Sequence, residues 1–357
     1  MSNQIQNKPL YRKIAELLHA ARKNTVRAVN HTMVYTYYEI GRIIVEDEQQ
    51  GKERAEYGKR VLRELSEKLT AEFGKGFSKR NLEQMRQFFL TYSIAQKSSA
   101  QLQQTVSKSS VISETHLPKF SLSWSHYLKL MRIENPDERS FYEIECATNN
   151  WSLKELQRQY DSALYERLAL SRDKEDIKQL ARRGQIIEKT TDILKDPYVL
   201  EFLDLPEQQR YSESELEQAL IDKLEHFLLE LGKGFTFVGR QVRFTFDEKH
   251  FKVDLVFFNR LLRCFVLIDL KIGELTHQDV GQMQMYVNYY DRFVRLSDEN
   301  KTAGIILCKD KNDTLVEMTL PQDNDSIFAS RYQTILPDKK TFIALLNQGI
   351  DDETAKR

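Results

Sequence analysis

Cysteine is scarce in this 357-residue chain. The three present, Cys146, Cys264 and Cys308, are widely spaced. That spacing excludes a disulfide framework and a multi-thiolate zinc pattern, and it predicts a reducing compartment. The seven histidines are scattered, with no HExxH and no His–Cys cluster, so no zinc site is expected. No run approaches the roughly 20 apolar residues of a membrane helix. The opening MSNQIQNKPL has no apolar signal-peptide core. A cytoplasmic protein without membrane contact is the expectation. Net charge is lacking too, since 53 Lys+Arg balance 53 Asp+Glu. The halves nevertheless differ: residues 1–170 hold 26 basic and 20 acidic side chains, the remainder 27 and 33. A mildly basic half suits a polyanion, and an acidic half suits divalent cations. The tetrapeptide GKGF occurs twice, at 74–77 and 232–235. Neither copy has phosphate-loop spacing, and both fit the ends of helices.

What is present is enough apolar material, 41%, for a real core, and a length that predicts about two domains. Helical periodicity covers 9–50, where Ile14, Leu17, Leu18 and Ala21 share a face, and 60–73, where Val61, Leu62, Leu65 and Leu69 do. Ser78 reads as the N-cap of a further helix over 79–92. Residues 95–115, rich in Ser and Gln, read as a flexible insertion. Helices resume to about 170, with a capping box at Ser152 and Glu155. A charged helical linker over 171–200 ends near the turn DPYV. From 212 a long helix runs to Gly232, followed by FTFVGRQVRFTF, FKVDLVFFN and CFVLIDLK, which read as strands with short polar turns. A helix, a buried strand AGIILCKD and a terminal helix near 338–347 complete the order. Residues 201–357 therefore predict an α/β domain with a mixed sheet, and residues 1–170 an all-α domain.

Three charged residues interrupt the apolar strands: Asp254, Asp269 and Lys271. A core strand does not tolerate an unpartnered carboxylate. Asp269 and Lys271 share a face, and a hairpin would bring Asp254 to Asp269. Two carboxylates in an apolar setting repel unless a cation neutralises them. Mg²⁺, with its preference for carboxylate oxygens and phosphate, is suited to the task. A lysine beside it can orient or deprotonate water and steady phosphate charge. Spacing alone is equally compatible with a structural salt bridge between Asp254 and Lys271.

Two flanking residues bear on that choice: Glu217 on the helix before the strands, and Gln282 in GQMQMY after them. The order Glu helix, Asp strand, Asp-x-Lys strand, Gln helix resembles the PD-(D/E)XK nuclease superfamily. Val253 stands at the proline position of its motif, and Glu213 and Glu215 are neighbours of the chosen Glu217. The stretches LEQALIDKLEHFLLELGKGFTFVGRQ, IDLKIGEL, LSEKLTAEFGKGFSKRNLEQMRQFF and WSLKELQRQ are similar to the YhcG-like family of PD-(D/E)XK nuclease-domain proteins, over nearly the whole chain. The resemblance implies a restriction-endonuclease-like sheet flanked by helices. It also implies Glu217, Asp254 and Asp269 as ligands of Mg²⁺ or Mn²⁺, Lys271 positioning water and Gln282 supporting the site.

In the N-terminal half, Leu82, Met85, Phe89 and Tyr92 form an apolar stripe on the 79–92 helix. Lys79, Arg80, Gln84 and Gln87 are left as candidate nucleic-acid contacts on a helix-turn-helix-like segment. A solvated face in a helical bundle would look the same. Tyr35, Tyr37, Tyr38, Trp124 and Trp151 read as packing residues. The expected function is metal-dependent hydrolysis of phosphodiester bonds in DNA, with a homo-oligomer compatible. The alternative is an inactive nucleic-acid-binding or assembly protein that retains the fold.

Overall fold

The computed structural model describes residues 8–50, 55–104, 120–170, 174–205, 211–246 and 248–344. The chain divides into two compact units, Met1–Gln157 and Arg158–Arg357.

The first unit is helical: α1 (Lys8–Gln50), α2 (Ala55–Phe73), α3 (Lys79–Gln104), α4 (Trp124–Leu130), α5 (Pro136–Asn149) and the start of α6 (Leu153–Asp161). α2 stops at Gly74, whose φ of +82° is one that a glycine adopts without penalty. The Ser78 hydroxyl then accepts the Asn81 N–H at 3.3 Å, opening α3. α3 continues to Gln104, into the stretch expected as an insertion; residues 105–119 lie outside the described residues. α1 and α3 pack backbone to backbone at Gly41, where a Cβ would stand 2.1 Å from the Met85 carbonyl oxygen. Leu82, Met85 and Phe88 of α3 are buried, so Phe88 rather than Phe89 leads its core face. Tyr38 packs against Phe88 and Phe120, and Trp124 against Tyr37, so these aromatics are core rather than a platform for bases. Ile14, Leu17 and Leu18, whose spacing predicts α1, are exposed.

The second unit contains α7 (Leu164–Leu170), α8 (Lys174–Arg183), β1 (Tyr198–Val199), α9 (Glu213–Asp222), α10 (Leu224–Leu231), β2 (Phe235–Phe246), β3 (Lys249–Asn259), β4 (Cys264–Glu274), α11 (His277–Tyr289), β5 (Ala303–Asp310), α12 (Asp313–Thr319) and β6 (Ile327–Gln333). The sheet order is β1-β6-β5-β4-β3-β2. β2, β3 and β4 are antiparallel neighbours, while β4, β5, β6 and β1 run parallel. This is the expected mixed sheet, extended by β1 and β6. The long helix expected over 212–231 breaks at Lys223, which has ψ of 29°. Apolar layers cover both faces. α9 and α10 lie over Leu255, Phe257 and Ile268, and α11 over Val256, Leu267 and Ile306.

One buried charge cluster ties the parallel edge together. Glu230 of α10 is fully buried and receives Arg167 Nη1 at 2.6 Å, Arg158 Nη2 at 3.2 Å and the Val199 N–H at 3.0 Å. Burial works against its charge, but Arg167, Lys195 and Arg158 more than offset that and hold the carboxyl at about 2. Because the unfolded value is about 4.3, this stabilisation is full above that pH and is lost as pH falls through about 2. Glu230→Gln strands the Arg167 guanidinium in the core. It is expected to cost about 3–5 kcal/mol at neutral pH, measured by urea unfolding, and a loss below about 1 kcal/mol would remove this cluster's structural role.

Candidate active site

α9 opens with a capping box in which Ser212 and Glu215 exchange backbone N–H bonds at 2.7 and 3.2 Å. Glu215 is thereby engaged at the helix end, and Glu217, one residue pair further on, is buried toward the sheet. β3 and β4 pair from Asn259↔Cys264 to Leu255↔Ile268. The next position in that register brings Asp254 beside Asp269, and there the ladder stops. Asp254 Oδ2 instead accepts the Leu270 N–H at 2.9 Å.

Side-chain alternation reverses at this point. Val253 and Leu255 should share a face, yet Leu255 packs on the α9–α10 side and Val253 on the α11 side. The reversal coincides, across the hairpin, with Gln241, whose φ is +47°. Such a conformation in a non-glycine residue costs about 1–3 kcal/mol and is characteristic of functional sites. It aims the Gln241 side chain at the carboxylates. Nε2 donates to Glu217 Oε2 at 2.6 Å and to Asp254 Oδ1 at 3.0 Å. Sequence reasoning missed Gln241, because only the strand register places it opposite Asp254.

Asp269 is buried, and its Oδ2 lies 3.0 Å from Lys271 Nζ with no hydrogen-bond donor beyond that ion pair among the described residues. Burial, reinforced by the charge of Asp254 and opposed by Lys271, pushes its pKa up to about 7. Burial also raises the pKa of Glu217, with Asp254 adding to it and the Gln241 hydrogen bond working the other way. Burial disfavours the Lys271 ammonium, but Asp269, Glu213 and Asp279 more than compensate and raise its pKa. Glu213 is 3.9 Å and Asp279 3.7 Å from its Nζ. Among the described residues the ion-pair partners of Lys271 are Asp269, Glu213 and Asp279, and they do not include Asp254. Asp279 also closes the capping box of α11 with Thr276.

Gln282 on α11 donates its amide to the Tyr286 hydroxyl. Burial raises the Tyr286 phenol, the Gln282 bond lowers it, and the charges of Asp269 and Asp254 raise it further. The Gln282–Tyr286 pair thus lies within the field of the carboxylates, and Tyr286 is a second residue that the sequence reading omitted. Its one signal was the spacing of four from Gln282 on a helix. In the first unit, Arg80 and Gln87 are exposed and Gln84 is half-buried. Lys79 pairs with Glu83 at 3.8 Å, and Gln87 donates to Thr91 at 3.2 Å.

Among the described residues, no three His, Cys, Asp or Glu side chains converge as a ready cluster for a metal. Asp254 and Asp269 still fit a divalent cation. They are adjacent hard-oxygen donors whose joint ionisation is opposed by burial, which is the setting a divalent cation neutralises. Glu217 joins them only through Gln241.

A mixed sheet with Asp and Asp-x-Lys on adjoining strand ends, behind a helix that carries Glu, defines a PD-(D/E)XK nuclease domain. The chain belongs to the YhcG family. Residues 191–346 match the YhcG PDDEXK nuclease domain, and residues 13–167 match the DUF1016 N-terminal domain. It is 42% identical to "Putative nuclease YhcG" of Escherichia coli (strain K12), over 92% of this chain and 90% of that protein. Two solved structures are similar over part of the chain. One is the crystal structure of a repair endonuclease from Pyrococcus abyssi, with 14% identity, 36% of this chain and 50% of that one covered, and a TM-score of 0.25. The other is the structure of an EndoMS-dsDNA2 complex, with 15% identity, 38% and 50% covered, and a TM-score of 0.25. This chain spans half the length of each, and at that TM-score neither bears on its site.

Asp254→Asn relieves the repulsion with Asp269 while weakening the hydrogen bonds of Asp254. In EDTA its unfolding free energy is expected to stay within about 1 kcal/mol of wild type, and the rise in melting temperature induced by Mn²⁺ should disappear. Thermal and urea unfolding with EDTA and with Mn²⁺ measure both. A metal-free loss of about 3 kcal/mol or more would instead mark the Asp254 carboxylate as structural, through its bonds to the Leu270 N–H and the Gln241 amide.

Proposed function

We propose that the protein is a divalent-metal-dependent nuclease hydrolysing phosphodiester bonds in DNA. The observation that supports this reading is the meeting of Asp254 and Asp269 at the end of one strand ladder, with Lys271 3.0 Å from Asp269. Asp254 and Asp269, joined by Glu217, would hold Mg²⁺ or Mn²⁺. Such an ion, when bound, supplies Lewis-acid charge to a phosphate oxygen and acidifies water. Lys271 keeps its proton, fixes the Asp269 carboxylate and presents N–H donors to the attacking water and to the charge developing on phosphate. Gln282 orients Tyr286 at the edge of the site. Gln241, which donates to both Glu217 and Asp254, would hold these two carboxylates in position for the ion.

The surroundings suit a polyanion. Arg243 and Lys252 are exposed cross-strand neighbours next to Gln241 and Asp254. Like charges opposite one another destabilise a hairpin, and a nucleic-acid backbone lying over them reverses that cost. In the helical unit, Lys79, Arg80, Gln84 and Gln87 are proposed to contact DNA from the start of α3.

Incubation of the full-length protein with plasmid, linear and branched DNA plus Mg²⁺ or Mn²⁺ tests the activity. EDTA-sensitive cleavage is expected, reduced about a hundredfold or more in Asp269→Asn and in Lys271→Ala. Lys271→Ala should retain its Mn²⁺-induced thermal shift. Absence of EDTA-sensitive cleavage on every substrate would overturn the enzymatic reading and favour the inactive binding protein. For the helical unit, Arg80→Ala is expected to reduce the slope of log affinity against log salt by about 1. An unchanged slope would return this face to an ordinary solvated helix.

A further inference from the structure

On the α11 side of the sheet lies a concavity that the chemistry above does not use. It has a volume of about 310 Å³ and opens between β2 and the outer face of α11. Its apolar wall is a stack of rings. Phe244 and Tyr289 lie nearly parallel with centroids 4.1 Å apart, and Phe293 leans on Tyr289 at 5.2 Å. Phe293 is 66% exposed, a large aromatic surface turned to solvent. Its polar wall is made by Gln284, Asn288 and Arg292. Among the described residues none of these three side chains has a hydrogen bond or ion pair, so two amides and a guanidinium are free to meet a ligand.

Two backbone features point the same way. Gly281 lines the cavity from the interior of α11, where glycine costs about 1 kcal/mol relative to alanine. A Cβ there would meet nothing within 4 Å, so packing does not require the glycine. Its effect is to keep the cavity floor open. After Tyr289 the helix widens into a π-turn over Tyr290–Val294, with the Arg295 N–H on the Tyr290 carbonyl at 2.8 Å. This turn ends α11, as π-turns commonly do at helix C-termini, and it presents Arg292 and Phe293 at the cavity mouth.

Phe244, which lines the cavity, meets Tyr286 edge-on at 5.5 Å, so one layer of rings separates the cavity from the Gln282–Tyr286 pair. We infer that this cavity binds one unpaired nucleobase of the strand being cut, an inference that rests on the nuclease reading. The base stacks on the Tyr289–Phe293 shelf, its hydrogen-bonding edge meets the amides of Gln284 and Asn288, and Arg292 takes a neighbouring phosphate. Exposed rings next to free amides and a cation are the chemistry that recognises a splayed-out base. Paired bases in a duplex cannot present a face to such a shelf.

Binding to fluorescent oligonucleotides in EDTA tests this with the full-length protein and without catalysis. The probes are a single strand, the same strand with one abasic position stepped along it, and a blunt duplex. Wild type is expected to bind the single strand and to lose about tenfold at one abasic register. Phe293→Ala, and Gly281→Met, which fills the cavity, should weaken single-strand binding about tenfold, lose the abasic discrimination and leave duplex binding unchanged without lowering the melting temperature, which Gly281→Met should raise by removing a glycine from the helix interior. Equal single-strand affinity in wild type and both variants, or no measurable single-strand binding by wild type, would overturn the inference. So would a change of oligomeric state in Phe293→Ala on size-exclusion chromatography, which would assign the surface to a second copy of the chain. Failure here alongside EDTA-sensitive cleavage leaves the nuclease reading standing. The expected binding pattern without any cleavage would sink the activity and keep the base site.

Discussion

Two carboxylates that repel each other are held side by side at the end of the β3–β4 ladder. The site depends on that constraint, and the constraint depends on register. A slip of one residue would move Asp254 away from Asp269 and turn every side chain of the strand to the other face. The apolar pairs from Asn259↔Cys264 to Leu255↔Ile268 prevent the slip, because both faces of this hairpin are buried beneath helices. The neighbours are arranged around the resulting charge. Lys271 steadies Asp269 from the same strand, and Gln241 bridges Asp254 to Glu217 with its amide.

The same unit contains a second buried carboxylate that answers the same problem differently. Glu230 is surrounded by Arg167, Arg158 and Lys195, and its carboxyl is held at about 2. Asp269 has one ammonium against a neighbouring carboxylate and sits at about 7. A charge matched by resident cations is part of the scaffold. A charge left undercompensated in a cleft is a candidate for chemistry, since its missing partner can arrive with the substrate. The two carboxylates thus differ in their surroundings, one matched by resident cations and one undercompensated, although both are buried acids beside basic residues.

Legibility followed the length scale of each signal. The longer helices of both units and the strands β2 to β5 were readable because periodicity, apolar runs and caps mark them, whereas α12 was missed because seven residues give too short a period. The Ser152–Glu155 box is formed as expected. β1 was missed because two residues carry no period, and β6 because IFASRYQ mixes polar and apolar residues without clear alternation. The break at Lys223 was invisible because leucines continue on both sides of it. Phe88 is more deeply buried than Phe89 because Phe120, Trp124 and Tyr127 close over it, while Phe89 packs half-buried on Tyr38 of α1, and helical spacing alone leaves that choice one residue uncertain.

The chain by itself determined the order of the main elements and the residues able to carry charge into the core, Glu217, Asp254, Asp269 and Lys271. Local pattern suffices for that, because an ionisable residue inside an apolar run is conspicuous wherever it folds. Only the tertiary structure decided which of them meet. It paired Lys271 with Asp269, Glu213 and Asp279, brought Gln241 and Tyr286 to the carboxylates, and set the ring shelf of Phe244 and Tyr289 beside Tyr286. Those contacts join residues on different strands and helices. Their geometry comes from register, from a reversal of alternation at Asp254 and from the packing of α11, none of which any single segment encodes.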